Sequence, residues 1–169
     1  MITVSIVSLI LSLLIQGVIS NYISYALSNL SIFYTIYTLI NLIVILPYFN
    51  NNKKYYIILA VFALLTDIAY TNTFGLHLFI FTIVYIFNKF FFSIVPYNLF
   101  TTIISSIISI TIYHIISFII LFIVKYDSYN IYMLATAITH SIIMTIITST
   151  IMYTVINFIY KKFELKEVR

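Results

Sequence analysis

The chain has 169 residues, of which 63% are hydrophobic and 7% are charged, and its formal net charge is +4. This composition excludes a soluble domain with a polar surface and predicts a single integral membrane domain. At about 20 residues per spanning helix, the chain has room for roughly five to seven helices. Because cysteine is absent, disulfides and thiolate metal sites are excluded as well.

Apolar runs, taken in chain order, predict six helices joined by short polar connections. We expect these helices at about 2–20, 31–49, 55–70, 76–92, 97–124 and 131–160. Residues 50–54 are predicted to form a loop, and residues 71–75 a tight turn between the third and fourth helices. The predicted fold is therefore all-α: residues 1–160 form one polytopic bundle of six transmembrane helices, and residues 161–169 form a basic cytoplasmic tail.

Small polar residues recur at helical spacing along the first and fifth predicted helices. The first stripe contains Ser5, Ser8, Ser12 and Gln16, and the second contains Thr102, Ser106, Ser109, Tyr113 and Ser117. Each stripe covers about 80° of its helix at 100° per residue. Small and hydroxylated side chains let transmembrane helices approach and form hydrogen bonds, so we expect both stripes to face protein.

Basic residues are distributed unequally between the two predicted sides of the membrane. A cytoplasmic N-terminus leaves Lys125 outside and places the other seven basic residues inside: Lys53, Lys54, Lys89, Lys161, Lys162, Lys166 and Arg169. The positive-inside rule therefore predicts that both termini are cytoplasmic. On this interpretation the net charge anchors the protein against anionic membrane lipids and gives no reason to expect nucleic acid as a partner.

Four ionisable residues fall in the outer half of this topology: Asp67, His77, His114 and His140. A charged carboxylate in lipid costs several kcal/mol, so Asp67 is expected to have a partner or a function. Two interpretations follow from the sequence. Either Asp67 pairs with a histidine in a pocket open to the outside, or the four residues are separate buried groups, each bonded to a neighbouring Ser, Thr, Tyr or backbone carbonyl.

Sequence patterns of enzymes and transporters are missing. The histidines are too far apart for a zinc-protease helix, and neither Gly-x-Ser-x-Gly nor a Gly-rich phosphate loop occurs. A triad could be assembled from Ser105, His114 and Asp67, but chance produces such sets in a chain this rich in serine. Broken helices and charged rings, which are typical of transporters and channels, are also missing. We therefore predict no catalytic, cofactor-binding or metal-binding residues.

The segment Leu64-Leu65-Thr66-Asp67, followed eight residues later by Gly75-Leu76, resembles the rod-shape-determining MreD family. That family has an aspartate at the end of one helix, a short polar turn and a Gly-Leu pair at the start of the next. Chain length, six hydrophobic helices with short loops and a basic C-terminal end are also similar. The fifth helix departs from the family pattern, because it carries Tyr113-His114 where an acidic residue is expected.

The resemblance implies a multi-pass protein of the bacterial cell membrane that acts as a non-enzymatic scaffold in cell-wall elongation. Its implied partners are an MreC-like protein, the RodA and penicillin-binding-protein synthase pair and, indirectly, MreB, and no cofactor is implied. Candidate structural or partner-binding residues are Asp67, Gly75, Leu76, His114 and His140.

One alternative is the substrate-binding S-component of an energy-coupling-factor vitamin transporter, a fold that the MreD family resembles, and another is a membrane packing protein of neither class. The outer-half position of Asp67 and the histidines favours the S-component. The lack of tryptophan and the N-terminal Met1-Ile2, where nickel and cobalt subunits have Met-His, count against it.

Overall fold

The structure, a computed structural model, describes residues 2–19, 36–49, 52–71, 74–124 and 131–162. Those residues contain six α-helices and no strand, which confirms the predicted all-α class for them. The helices are α1 (Ile2–Val18), α2 (Tyr37–Ile45), α3 (Asn52–Thr66), α4 (Leu76–Ile94), α5 (Leu99–Ile123) and α6 (Ile131–Lys162). A 3₁₀ turn, Leu46–Tyr48, continues α2, and a π-helical turn, Asp67–Thr71, continues α3.

Helix α2 lies at the centre of the bundle. Every residue of Tyr37–Ile45 is buried, and the helix packs against α1, α4, α5 and α6. Around it, α5 and α6 form the most extensive helix pair, while α4 packs between α3 and α5. A helix that is apolar on all sides is expected in such a central position.

The interior of the bundle is polar where the two serine-rich stripes meet their neighbours. In the described stripe positions, the fully buried residues are Ser5, Ser12, Thr102, Ser106 and Ser109. Asn41 of α2 donates to Ser12 at 3.3 Å, and Ser5 lies within 2.8 Å of the Tyr160 hydroxyl at the end of α6. The prediction that the stripes face protein is confirmed for these residues.

The outward faces of the helices are apolar. Three described helices, α4, α5 and α6, are long and apolar enough to cross a membrane. Ile2–Val18 and Tyr37–Tyr48 are apolar but shorter. Large side chains such as Phe90, Phe100 and Phe122 are exposed on the outside of α4 and α5. Polar groups bonded inside and apolar groups outside are the arrangement that a lipid environment favours.

Helix α3 begins earlier than the sequence predicted. Residues 52–54 form its first turn, so the predicted loop over residues 50–54 is wrong for them. Lys53 and Lys54 are exposed, and lysine is a good helix former, so the helix continues beyond its buried section. The remaining predicted loop residues, 50–51, lie outside the described residues, as do residues 31–35 of the predicted second helix, residues 72–73 of the predicted turn and residues 163–169 of the predicted tail. Residues 161 and 162, predicted to begin that tail, instead end α6.

Helix α5 begins at Leu99, two residues later than predicted, because Asn98 caps it. The Asn98 side chain accepts the Thr101 backbone N–H at 2.9 Å, and the Thr101 hydroxyl accepts the Asn98 backbone N–H at 3.0 Å. This reciprocal pair satisfies backbone donors that a helix start otherwise leaves without partners.

The five lysines of the described residues all lie at one end of the bundle, which we call the basic end. Lys53 and Lys54 begin α3, Lys89 lies near the end of α4, and Lys161 and Lys162 end α6. Tyrosine contacts hold these segments together. The rings of Tyr55 and Tyr85 lie 5.2 Å apart between α3 and α4, and those of Tyr48 and Tyr160 lie 4.2 Å apart between the 3₁₀ turn and α6. The α3–α4 turn therefore lies at the opposite end.

Candidate functional site at the turn between α3 and α4

Asp67 is fully buried, and its carboxylate closes the turn between α3 and α4. Oδ2 accepts the backbone N–H of Gly75 at 2.9 Å. Oδ1 accepts the backbone N–H of His77 at 3.0 Å and lies 2.8 Å from the ring Nδ1 of the same histidine. Backbone N–H groups at the start of a helix have no partner within that helix, so Asp67 acts as a cap supplied by the preceding helix.

The identity and conformation of Gly75 explain why α4 is capped by a residue eight positions earlier in the chain. It precedes the first residue of α4 with a φ of 88°, in the left-handed region that glycine tolerates best. Having no side chain, it cannot cap the helix as serine or aspartate would. The Asp67 carboxylate takes that role, and its negative charge interacts favourably with the positive end of the α4 dipole.

His77 connects Asp67 to α5. The Tyr113 hydroxyl lies 3.0 Å from His77 Nε2, and the two rings stack with their centroids 5.6 Å apart. In the neutral tautomer with the proton on Nδ1, His77 donates to Asp67 and accepts from Tyr113, so each of these hydrogen bonds has one donor and one acceptor. Asp67, His77 and Tyr113 therefore form a continuous chain from the turn to α5.

Tyr70 lies in the π-helical turn that follows α3 and connects that turn to α1. Its hydroxyl donates to the backbone carbonyl of Leu13, and its ring lies against Gly17. A Cβ added at Gly17 would lie 2.9 Å from the Tyr70 hydroxyl oxygen, closer than real Cβ atoms approach. Gly17 thus permits the close contact between α1 and the π-helical turn.

The candidate residues named from the sequence fall into two groups. Asp67 and Gly75 are in contact, and Leu76 follows Gly75 with its side chain packed against the apolar core. His114 is buried on α5 beside Tyr113, with ring centroids 5.6 Å apart, and His140 lies partly exposed on α6. Asp67 and Gly75 are therefore joined by a direct hydrogen bond, whereas His114 lies next to the hydrogen-bonded residues only through its contact with Tyr113.

The structure bears on one part of the two interpretations of Asp67, the pairing with a histidine, and shows Asp67 fully buried, so the pocket open to the outside stays a prediction. Its pairing with a histidine is confirmed by the 2.8 Å contact with His77, and the interpretation as separate groups is wrong for these two residues. Tyr113 was expected to face protein from its place in the α5 stripe, although its bond to His77 was not predicted. No sequence signal indicated that Tyr70 would bond to α1.

The surroundings of Asp67 indicate what this carboxylate can do. The backbone N–H groups of Gly75 and His77 donate to it, and the His77 ring lies within hydrogen-bond distance, as expected for a group that holds backbone elements together. Ser105, the nucleophile of the triad considered from sequence, donates instead to the Asn88 side chain on α4. Among the described residues, no three or more His, Cys, Asp or Glu side chains are grouped so that they could hold a metal ion.

Comparisons with protein-family models, with curated proteins and with solved structures found no match.

Proposed function

We propose that this protein is a non-enzymatic membrane scaffold of the bacterial cell-wall elongation machinery, similar to MreD. The observation that supports the proposal most directly is the hydrogen bond from the Gly75 backbone N–H to Asp67 Oδ2, with 2.9 Å between nitrogen and oxygen. These two residues carry the resemblance to the family, and each has a defined part in one turn. The aspartate supplies the cap, and the glycine supplies the backbone conformation that needs it.

The proposed topology has six transmembrane helices with both termini in the cytoplasm. Its support is the set of three long apolar helices, the two shorter ones, and the position of all five described lysines at the basic end. Positive charge favours the cytoplasmic side, so the Asp67 turn belongs at the outer surface. An MreC-like protein and the RodA and penicillin-binding-protein pair would then meet the protein from the outer half, while MreB is linked at the basic end.

The outer end of α3 and α4 offers exposed apolar side chains to a partner. The polar side chains of Asp67, His77 and Tyr113 form hydrogen bonds inside the protein. By contrast, Ile68 is 64% exposed and Phe74 is 86% exposed. Apolar side chains on a turn held by internal hydrogen bonds favour packing against another transmembrane helix. The single transmembrane helix of an MreC-like protein would bind there, with Asp67 fixing the shape of the surface.

The experiment is co-purification of an MreC-like partner with variants of this protein. Phe74→Ala removes part of the proposed surface without touching the Asp67 bonds, and Asp67→Leu removes the cap. We expect both variants to lose most of the partner. Phe90→Ala, which shortens an exposed side chain of α4 away from the turn, serves as the matched control and should keep it. Full recovery of the partner with Asp67→Leu, together with normal rod shape in cells, would contradict the proposal.

A second candidate, the substrate-binding subunit of a vitamin transporter, is favoured by two polar atoms in the interior. Asn41 Oδ1 on α2 and Ser106 Oγ on α5 are buried and have no hydrogen-bond partner in the described part of the chain. Buried polar atoms are normally bonded, so a small polar ligand would satisfy them. A vitamin present at a hundred times its dissociation constant would add about 2.7 kcal/mol of stability. If no vitamin shifts the unfolding temperature of the purified protein, this candidate fails.

A further inference from the structure

Helices α4 and α5 are level with each other at the basic end of the bundle. A short connection, residues 95–98, joins the end of α4 to the start of α5. Beside this connection, the rings of Phe92 and Tyr97 have their centroids 5.6 Å apart. Further along the pair, the Asn88 side chain of α4 donates to the Ser109 hydroxyl of α5 at 2.7 Å. The two helices therefore run side by side from the basic end.

At the opposite end, α5 continues beyond α4. His77, the second residue of α4, meets Tyr113 of α5 with 3.0 Å between Nε2 and the tyrosine hydroxyl. Residues 114–123 of α5 follow Tyr113, and at 1.5 Å per residue they extend about 15 Å past this contact. The helix lengths, 19 residues for α4 and 25 for α5, differ by about 9 Å on the same basis. A step of about 9 to 15 Å therefore separates the start of α4 from the end of α5.

The part of α5 beyond this step is apolar. Its sequence over residues 115–124, Ile-Ile-Ser-Phe-Ile-Ile-Leu-Phe-Ile-Val, contains one hydroxyl and no charge. Large side chains are exposed here and at the start of α6, which packs along α5: Phe122, Ile123, Val124, Ile131 and Tyr132. Large apolar side chains exposed together are favoured in lipid and disfavoured in water. We therefore expect the bilayer to cover this part of α5.

The turn between α3 and α4 does not fit inside the same hydrocarbon layer. Phe74 and Gly75 are not helical, and residues 71–73, which precede them, are Thr, Asn and Thr. Irregular backbone exposed to lipid does not occur within the hydrocarbon region, because its N–H and C=O groups would lack partners. A flat bilayer deep enough to cover α5 would submerge this turn. Helix α4, at about 28 Å, instead fits a hydrocarbon core of about 30 Å.

We propose that this protein holds the lipid bilayer at two thicknesses, thinner beside α3 and α4 than beside α5 and α6. Because α4 and α5 are level at the basic end, the difference lies in the leaflet that contains the Asp67 turn. A bilayer thins beside a short apolar helix and thickens beside a long one, and here both kinds of helix belong to one bundle. This membrane-shaping function goes beyond the scaffold function and requires neither its partners nor its orientation.

The test measures the depth of single tryptophans in the bilayer, because the chain has no tryptophan of its own. Phe74→Trp marks the turn and Phe122→Trp marks the apolar end of α5. Phe90→Trp and Phe100→Trp are the matched controls on the level ends of α4 and α5. All four phenylalanines are exposed, so the variants should unfold at the temperature of the unaltered protein.

Each variant is reconstituted in phosphatidylcholine vesicles that carry bromine, a quencher of tryptophan fluorescence, either near the headgroup or near the ends of the acyl chains. We expect Phe74→Trp and Phe122→Trp to lose more emission to bromine near the headgroup than to bromine near the chain ends. Both positions would then lie close to the headgroups, although Phe122 is farther from the basic end. Phe90→Trp and Phe100→Trp should give equal losses, because both lie slightly inward of the contact between Phe92 and Tyr97.

Three results would overturn the inference. A greater loss of Phe74→Trp emission with bromine near the chain ends would place the turn inside a flat bilayer. No loss for Phe122→Trp with either lipid would place the end of α5 in water. Unequal losses for Phe90→Trp and Phe100→Trp would show that the whole bundle tilts while the bilayer keeps one thickness.

Discussion

A carboxylate inside an apolar bundle is costly unless donors surround it, and the donors around Asp67 include the backbone N–H groups of Gly75 and His77 and the ring of His77. The sequence alone indicated that this acid needed a partner. It did not indicate that two of the donors are backbone groups, because that depends on the left-handed conformation of Gly75. The resulting arrangement resembles a helix cap more closely than a binding pocket.

We predict that the Asp67→Leu variant unfolds with a free energy about 3 to 5 kcal/mol lower than that of the unaltered protein. Leucine leaves the His77 ring and two backbone N–H groups without their buried acceptor, which is the usual magnitude for breaking a buried pair. Tyr113→Phe, which removes only the hydroxyl at the far end of the chain, should cost about 1 kcal/mol. Denaturation in mixed detergent micelles measures both values. Equal losses in the two variants would show that Asp67 has no special role in the turn.

At the scale of single elements, the helices follow from the apolar runs, whereas their ends depend on contacts that the runs do not reveal. The start of α5 had a local signal, since Asn98 and Thr101 have the spacing of a reciprocal cap. The π-helical turn after α3 had none. Within it, Tyr70 reaches α1 in a contact between residues 57 positions apart in the chain, which no local pattern reveals.

The contact of Tyr70 with Gly17 predicts a coupled pair of substitutions. Alanine is a better helix former than glycine by about 1 kcal/mol, so Gly17→Ala should stabilise α1 wherever space allows. In the unaltered protein the new Cβ meets the Tyr70 hydroxyl at 2.9 Å and must displace its bond to Leu13. With Tyr70→Phe present, the nearest remaining contact is a ring carbon at 3.5 Å, an ordinary distance.

We therefore expect Gly17→Ala to destabilise the unaltered protein and to stabilise the Tyr70→Phe variant. A double-mutant cycle of unfolding free energies should give a coupling of about 1 kcal/mol or more. Additive effects, with Gly17→Ala equally favourable in both backgrounds, would mean that α1 and the turn are not held together by this contact.

At the scale of the whole molecule, charge and polarity divide the bundle along two directions. Across it, serines and threonines are buried between the helices while large apolar side chains are exposed. Along it, the described lysines lie at one end and the Asp67 turn lies at the other. Composition and the spacing of small residues predicted the first division. The second followed from the order of apolar runs and lysines, because adjacent helices joined by short connections alternate in direction.

The proposed scaffold function requires that the Asp67 turn faces the outside of the cell and the basic end faces the cytoplasm. The sequence contains no cysteine, so single cysteines can be introduced without removing others. Phe74→Cys marks the turn, and Lys54→Cys marks the basic end. Both positions are exposed, which makes them accessible to a thiol reagent on whichever side they lie.

The most direct measurement is labelling of these two variants with a membrane-impermeant maleimide in spheroplasts of a heterologous bacterial host. We predict that the Phe74→Cys variant is labelled in intact spheroplasts, and that the Lys54→Cys variant is labelled only after lysis. Labelling of Lys54→Cys from outside, or protection of Phe74→Cys until lysis, would contradict the orientation on which the scaffold function depends.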